Sequence, residues 1–178
     1  MNYNIIVATC NDNGIGSNNA LPWNFISEDM KSFSKLTKGK GNNAIIMGAN
    51  TYKSIGRPLP NRVNIILSNS INEENEEKNI YVFKNIDSCI QFCNDKCFDE
   101  VWIIGGESIY TQFLELNYIE KIYKTEINKK IECDTFFPSI PYSFQLFNTS
   151  NLSPLIQLNI WVRSKGVPLT NPIVRSKK

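Results

Sequence analysis

The sequence predicts an α/β fold, a mainly parallel sheet flanked by helices with an antiparallel edge hairpin at its C-terminal end. Three observations carry this. Short apolar, β-branched runs alternate with helix-periodic segments from residue 3 to residue 114, the pattern that βαβ units produce. From residue 119 onward, strand patterns follow one another with no helix between them, which suits antiparallel pairing. Two strand ends run straight into glycine-bearing turns that open helices, at residues 47–51 (MGANT) and 104–108 (IGGES).

Residues 3–9 read as a first buried strand. The Asn- and Gly-rich stretch 10–25 is long for a loop, and such loops are more often functional than idle. A helix is expected over 27–38, with Ser27 as its N-cap and Glu28 and Asp29 complementing its dipole in the first turn. Strand 43–48 leads to a short helix at 51–55, and strand 62–68 follows. The acidic run 69–79 (NSINEENEEKN) reads as a solvated loop. A short strand at 80–83, a helix at 86–94, a strand at 100–104 and a helix at 107–114 come next. Strand 119–127 and two further candidates, 143–149 and 155–164, complete the sheet. One domain is expected over residues 1–165, and 166–178 as a loose tail.

With 178 residues, 42% hydrophobic and 20% charged, the chain is long enough to bury one sizeable core. A net charge of +2, scattered along the sequence, gives no footprint for nucleic acid or an anionic membrane. No run approaches the length of a spanning helix, and the first residues lack the basic lead of a signal peptide. The cytoplasm is therefore the expected compartment. Five cysteines, an odd number, suit reducing conditions. Cys89, Cys93 and Cys97 recur every fourth residue, which fits one helical face of structural thiols better than a metal site. The absence of histidine removes Ser-His-Asp and Cys-His nucleophilic chemistry, and no metal is expected.

Two features point to chemistry. At about 100° per residue, Met30, Phe33 and Leu36 share an apolar arc on the first helix, and Asp29 falls inside it while Glu28 points away. A carboxylate on a core-facing surface needs a reason. Complementing the helix dipole is one; binding a polar ligand that fills part of the core is another. The glycine turns at 48 and 105–106 offer backbone N–H groups at helix N-termini, which suit phosphate, although neither turn is a GxGxxG.

Taken in order, "GIGSNNALPWNF", "EDMKSF", "IIMGANTYKSIGRPLPNRVNIILS", "VWIIGGESIY" and "DTFFP" resemble dihydrofolate reductase, over most of the chain to about residue 138. The resemblance implies an eight-stranded, mostly parallel sheet and NADPH-dependent reduction of dihydrofolate to tetrahydrofolate for one-carbon metabolism. It implies that Asp29, four before Phe33, binds the pterin as a charge-assisted pair and acts electrostatically while water protonates N5. Thr125 then fixes that carboxylate, and Leu21 and Trp23 sit on a loop that closes over the nicotinamide. Val7, Ala8, Met30, Phe33, Ile55, Leu59 and Ile104 match the substrate lining, and Arg62 the grip on the glutamate α-carboxylate. On the cofactor side the matching positions are Ala8, Ile15, Gly16, Asn19 and Leu21 in the first strand and loop. Gly48, Ala49, Asn50 and Thr51 follow at the second strand, and Leu67, Ser68, Asn69 and Lys84 around the third and fourth. Ile104, Gly105, Gly106, Glu107, Ser108, Ile109 and Tyr110 complete them, with a cis Gly105–Gly106 bond in relatives. Antifolates are expected to compete at Asp29, and the chain to act as a monomer unless fused to thymidylate synthase.

Three departures stand out. Ala49, Asn50 and Asn69 are uncharged where relatives often carry a basic residue, which leaves Lys84 as the candidate cation for the 2′-phosphate. Tyr52 stands where relatives often have Trp, and the last strand is less aromatic than usual. The alternatives are the related reductase domain of riboflavin synthesis, which would lack the LPW loop and the Asp29–Phe33 pair, and a nucleotide-binding module without turnover.

Overall fold

The computed structural model describes residues 1–72 and 74–166. The tail expected at 166–178 therefore lies, beyond Gly166, outside the described residues. In chain order come β1 (Asn2–Thr9), β2 (Gly14–Gly16), α1 (Ser27–Lys38), β3 (Ala44–Gly48), α2 (Ala49–Ile55), β4 (Val63–Leu67) and β5 (Ile80–Phe83). They are followed by α3 (Ile86–Lys96), β6 (Glu100–Gly105), α4 (Glu107–Glu115), β7 (Ile119–Ile127), β8 (Thr135–Phe136), β9 (Phe144–Ser153) and β10 (Ile156–Arg163).

Eight strands form one sheet in the order β5-β4-β3-β6-β1-β7-β10-β9. The first six run parallel; β10 is antiparallel to both β7 and β9. Helical crossovers keep these strands parallel, with β3, β4 and β5 side by side toward one edge and β1 between β6 and β7 in the middle. The hairpin then fills the remaining edge.

The period of two along each strand splits the core. Ile5, Val7, Ile46, Ile65 and Ile103 pack with α3 and α4 on one face through Cys89, Cys93, Tyr110 and Phe113. On the other, Ile6, Ile45, Met47, Ile66, Trp102 and Ile104 meet Phe33 and Leu36 of α1 and Tyr52 and Ile55 of α2. Cys89 and Cys93 are thus structural thiols, as their spacing predicts, whereas Cys97 ends α3 in a left-handed conformation and is exposed.

Three expectations need correction. Ser27 is the first helical residue of α1 and not its N-cap; Ile26 holds that position with extended backbone, and the Ser27 hydroxyl donates to Glu28. The stretch 10–25 is more ordered than a loop, since β2 pairs with β8 in a second, two-stranded sheet. Its short polar residues are explained by conformation: Asp12, Asn13, Asn18 and Asn19 all adopt positive φ, which such side chains tolerate. The acidic run likewise contains a helical turn (Glu76–Lys78) capped by Asn75, and Ile71 is buried against the α1 face.

Candidate active site

Asp29 and Thr125 come from elements far apart in the chain. The i, i+4 geometry of α1 turns Asp29 and Phe33 inward together and leaves Glu28 exposed. Thr125 projects from β7 beside Ala8, its register partner on β1. Burial pushes the Asp29 carboxyl above the ordinary carboxylate range, and the nearby Thr125 side chain acts the other way as a hydrogen-bonding neighbour. Tyr110 lies in the core cluster on the α3–α4 face of the sheet. Its hydroxyl donates to the Ile6 carbonyl at 3.0 Å, and burial with the nearby Asp29 charge pushes its own pKa up.

The walls around this carboxylate are apolar. Phe33, Ile55 and Leu59 pack with Ile104 in one cluster. Val7 does not join them: strand alternation points its side chain to the opposite face, among α3 and α4, so only its backbone reaches the cleft. Met30 is 37% exposed and lies outside that cluster. It keeps its place on the apolar arc of α1 but stands at the open margin of the cleft.

Arg62 is 5% exposed. Its Nε donates to the Pro60 carbonyl at 3.0 Å and its Nη1 to Thr37 Oγ1 at 2.7 Å, while Phe33 lies 6.0 Å beneath the guanidinium. Burial pulls its pKa down, yet arginine stays charged. Among the described residues no carboxylate pairs with it; the ion pair present is Lys124–Glu126. A buried cation held only by neutral groups is suited to receive an anion.

Sequence reasoning missed two residues that position this corner. Asn64 accepts from Leu59 N–H at 2.8 Å and donates to the Leu59 and Arg62 carbonyls, which fixes the turn carrying both. Thr37 receives Arg62 while donating to the Phe33 carbonyl. A buried Asn within a β-branched strand and a Thr in a helix's last turn were the available signals.

A second line of groups runs along the C-terminal ends of β6, β3, β4 and β5. Register aligns Gly105 with Met47, Gly48 with Leu67, and Leu67 with Phe83. Gly106, Ala49, Ser68 and Lys84 therefore follow one another across the sheet edge. The two glycine turns pack on each other. A Cβ on Gly48 would lie 3.2 Å from Ile109, and one on Gly106 would lie 3.6 Å from the Thr51 hydroxyl. Gly48 and Gly106 are the N-caps of α2 and α4 and supply no capping side chain, so the first N–H groups stay open. The Gly105–Gly106 peptide is cis. These turns fit a phosphate-bearing dinucleotide, with Lys84 exposed at the far end and Asn50 and Asn69 uncharged beside the line. Ser68 accepts from the Ser70 and Ile71 N–H groups, which shapes the loop after β4. Glu107 braces the second sheet, its carboxylate accepting from Phe136 N–H on β8. Ser108 is exposed on α4 and shares a hydrogen bond with Gln112.

The loop over this groove is pinned at two depths. Trp23, 8% exposed, packs with Cys10 and Ile127, and Ile26 and Ala8 close around them. Asp134, just before β8, donates through its backbone N–H to the Gly16 carbonyl at 2.9 Å and accepts from Asn18 N–H at 2.8 Å. Leu21 is left 54% exposed, while Ile15 leans on the core and Asn19 is exposed at positive φ. A cavity of about 590 Å³ lies on the other face of β7, lined by Lys124, Glu126, Asp12 and the β9–β10 turn. Alternation separates it from Thr125, so it is not the Asp29 cleft.

Comparison with known proteins places the chain among its relatives. The family model described as dihydrofolate reductase matches residues 2–154. A dihydrofolate reductase of Drosophila melanogaster is 36% identical over 82% of the chain and 84% of its own length. One of Heliothis virescens is 40% identical over 77% of the chain and 79% of its own. A bifunctional dihydrofolate reductase-thymidylate synthase of Zea mays is 34% identical over 89% of the chain, but only 32% of that longer protein.

Proposed function

The chain belongs to the dihydrofolate reductase family, and on that premise we propose how its own residues divide the work. The enzyme reduces 7,8-dihydrofolate to 5,6,7,8-tetrahydrofolate with NADPH. The observation that carries the assignment of roles is the Asp29–Thr125 pair, a half-buried carboxylate in an apolar wall.

Asp29, ionised, accepts from the 2-amino group and ring nitrogen of the pterin, a bidentate charge-assisted pair. Its charge favours positive character on the ring as a water delivers the proton to N5. Thr125 holds the carboxylate in place. Phe33, Ile55, Leu59 and Ile104 enclose the ring and its aminobenzoyl group, with Ala8 and Met30 at its margins. Arg62 takes the glutamate α-carboxylate through the face of its guanidinium that Thr37 and Pro60 leave over.

NADPH, when bound, supplies the hydride for pterin C6. The N–H groups after Gly48 and Gly106 and the Thr51 hydroxyl would hold its phosphates, and Ser68 and Lys84 would serve the adenosine end. With Asn50 and Asn69 uncharged, discrimination against NADH is weaker than a basic pair would give. Trp23 and Leu21 close the loop and keep water from the hydride path. Antifolates compete at Asp29, since a protonated diamino ring makes the same pair. The chain works as a monomer unless fused to thymidylate synthase, and in the cytoplasm, where its thiols stay reduced.

The test follows NADPH oxidation with dihydrofolate in wild type and Asp29→Asn. Turnover in wild type with a deep loss at neutral pH in the variant is expected. An unaffected neutral-pH rate would remove Asp29 from the mechanism.

A further inference from the structure

Two of the free thiols stand face to face under the active-site loop. Cys10 Sγ and Cys133 Sγ are 3.4 Å apart, though 123 positions separate them in sequence. Cys10 is where β1 hands over to the loop; Cys133 directly precedes Asp134, whose two hydrogen bonds hold Gly16 and Asn18. The pair is built into its surroundings. Cys10 N–H and Sγ both address the Gly14 carbonyl, at 2.9 and 3.5 Å, and Cys133 Sγ reaches the Ile131 carbonyl at 3.5 Å. Any side chain at position 14 would collide with both sulfurs. Gly14 is the residue that lets them meet.

Access differs between this pair and the other thiols. Cys133 is part-exposed, whereas Cys10 is 4% exposed and packs with Trp23 and Ile127 at the edge of the 590 Å³ cavity. Cys89 and Cys93 are sealed at 0% exposure behind α3, and Cys97 lies at the surface where α3 ends.

We propose that Cys10 and Cys133 form a redox modification site, oxidised by hydroperoxides to a reversible disulfide that tethers the start of the active-site loop to the segment anchoring its middle. Burial and the neighbouring Cys10 push the Cys133 thiol up to about 11, so a minor thiolate fraction attacks the peroxide O–O bond; Cys133 becomes a sulfenic acid and the alcohol or water leaves with the thiol proton. The Cys10 thiolate then attacks the Cys133 sulfur, forming the S–S bond, and the hydroxide expelled departs as water with the thiol proton. Two electrons pass from the thiol pair to the peroxide, and an external dithiol reverses the reaction. Closing from 3.4 Å to a bond of about 2.05 Å needs only a small local shift. The shift falls on Asp134's neighbour, so opening of the loop is what the bond impedes. This effect on turnover rests on the loop role proposed above, whereas the cross-link does not.

The experiment treats the full chain with hydrogen peroxide in the Cys97→Ser background, then maps peptides under non-reducing conditions and measures kcat before and after dithiothreitol. A 10–133 cross-linked peptide, lighter by two hydrogens and lost in both Cys10→Ser and Cys133→Ser, is expected with a several-fold, reducible fall in kcat. Phenylarsine oxide, which bridges paired thiols, should add once to the native protein and not to either single variant at matched folding by circular dichroism. Cross-linking with unchanged kcat would support the redox site and overturn the loop reading instead. Peroxide that yields only singly oxidised cysteines, or a disulfide between other positions, would overturn the proposal.

Discussion

Asp29 is a carboxyl group placed where burial disfavours its charge, and that placement makes two measurable statements. Burial holds its folded-state pKa above the ordinary value. Between the unfolded and folded values the native state binds more protons, so this group's contribution to stability falls as pH rises through that window. Where the carboxyl is ionised, its buried charge is therefore a cost to the fold. Asp29→Asn should leave Tm at pH 7 unchanged or raised in calorimetry, while kcat at that pH falls by about 100-fold or more. The rate should recover partly in acid, where substrate arrives protonated; a Tm lower by several degrees would show that the charge stabilises the fold. Arg62 gives the complementary case. Arg62→Gln should raise KM for dihydrofolate by about tenfold or more, the worth of a hydrogen bond to a charged group, with kcat little changed. A pterin lacking the glutamate should show no such difference between the two proteins. Both residues could be read from the motif. Their partners Thr37 and Asn64 could not, because a hydrogen bond between side chains distant in sequence leaves no local pattern.

At the scale of elements, the turns at β3–α2 and β6–α4 form the proposed cofactor side. Gly105 has φ of +122°, and a Cβ there would sit 3.2–3.3 Å from three atoms of the Tyr110 ring and hydroxyl. Gly105→Ala should cost about 1–3 kcal/mol, read as a lower urea midpoint at constant slope. Gly41 has φ of +103°, and among the described residues no atom lies within 4 Å of its missing Cβ. Gly41→Ala then isolates the backbone part, and its smaller loss leaves the remainder to the Tyr110 contact. At the other end of the line, Lys84→Gln should raise KM for NADPH several-fold and leave that for NADH unchanged, measured at saturating dihydrofolate. Equal effects on both cofactors would take Lys84 off the 2′-phosphate. Helix and strand positions were legible here because their periods differ and the glycines mark the junctions. The N-cap of α1 was not: Ser27 is a good capping residue by type, yet the chain's path out of Pro22 and Trp23 places Ile26 at that position.

Across the whole molecule, the loop of residues 10–26 is held by residues about a hundred or more positions later. Asp134 binds Gly16 and Asn18, Glu107 holds β8, and β8 completes a sheet with β2. Asp134→Ala should loosen that closure and change kcat by several-fold in stopped-flow turnover, with Tm lowered only slightly because the loop lies outside the main core. A large loss of Tm with unchanged kcat would make Asp134 a residue of stability alone. The sequence by itself determined the order of strands and helices, the inward turn of Asp29 and the two glycine turns, since each is encoded in periodicity or backbone freedom within a few residues. Only the tertiary structure decided that Val7 faces away from the cleft and that Arg62 is a buried cation with no carboxylate partner among the described residues. It also decided that β2 and β8 clasp the loop, and that Cys10 meets Cys133. Those facts depend on which segments the sheet order brings side by side, and such long-range packing is fixed by the burial of the whole core rather than by any short stretch of chain.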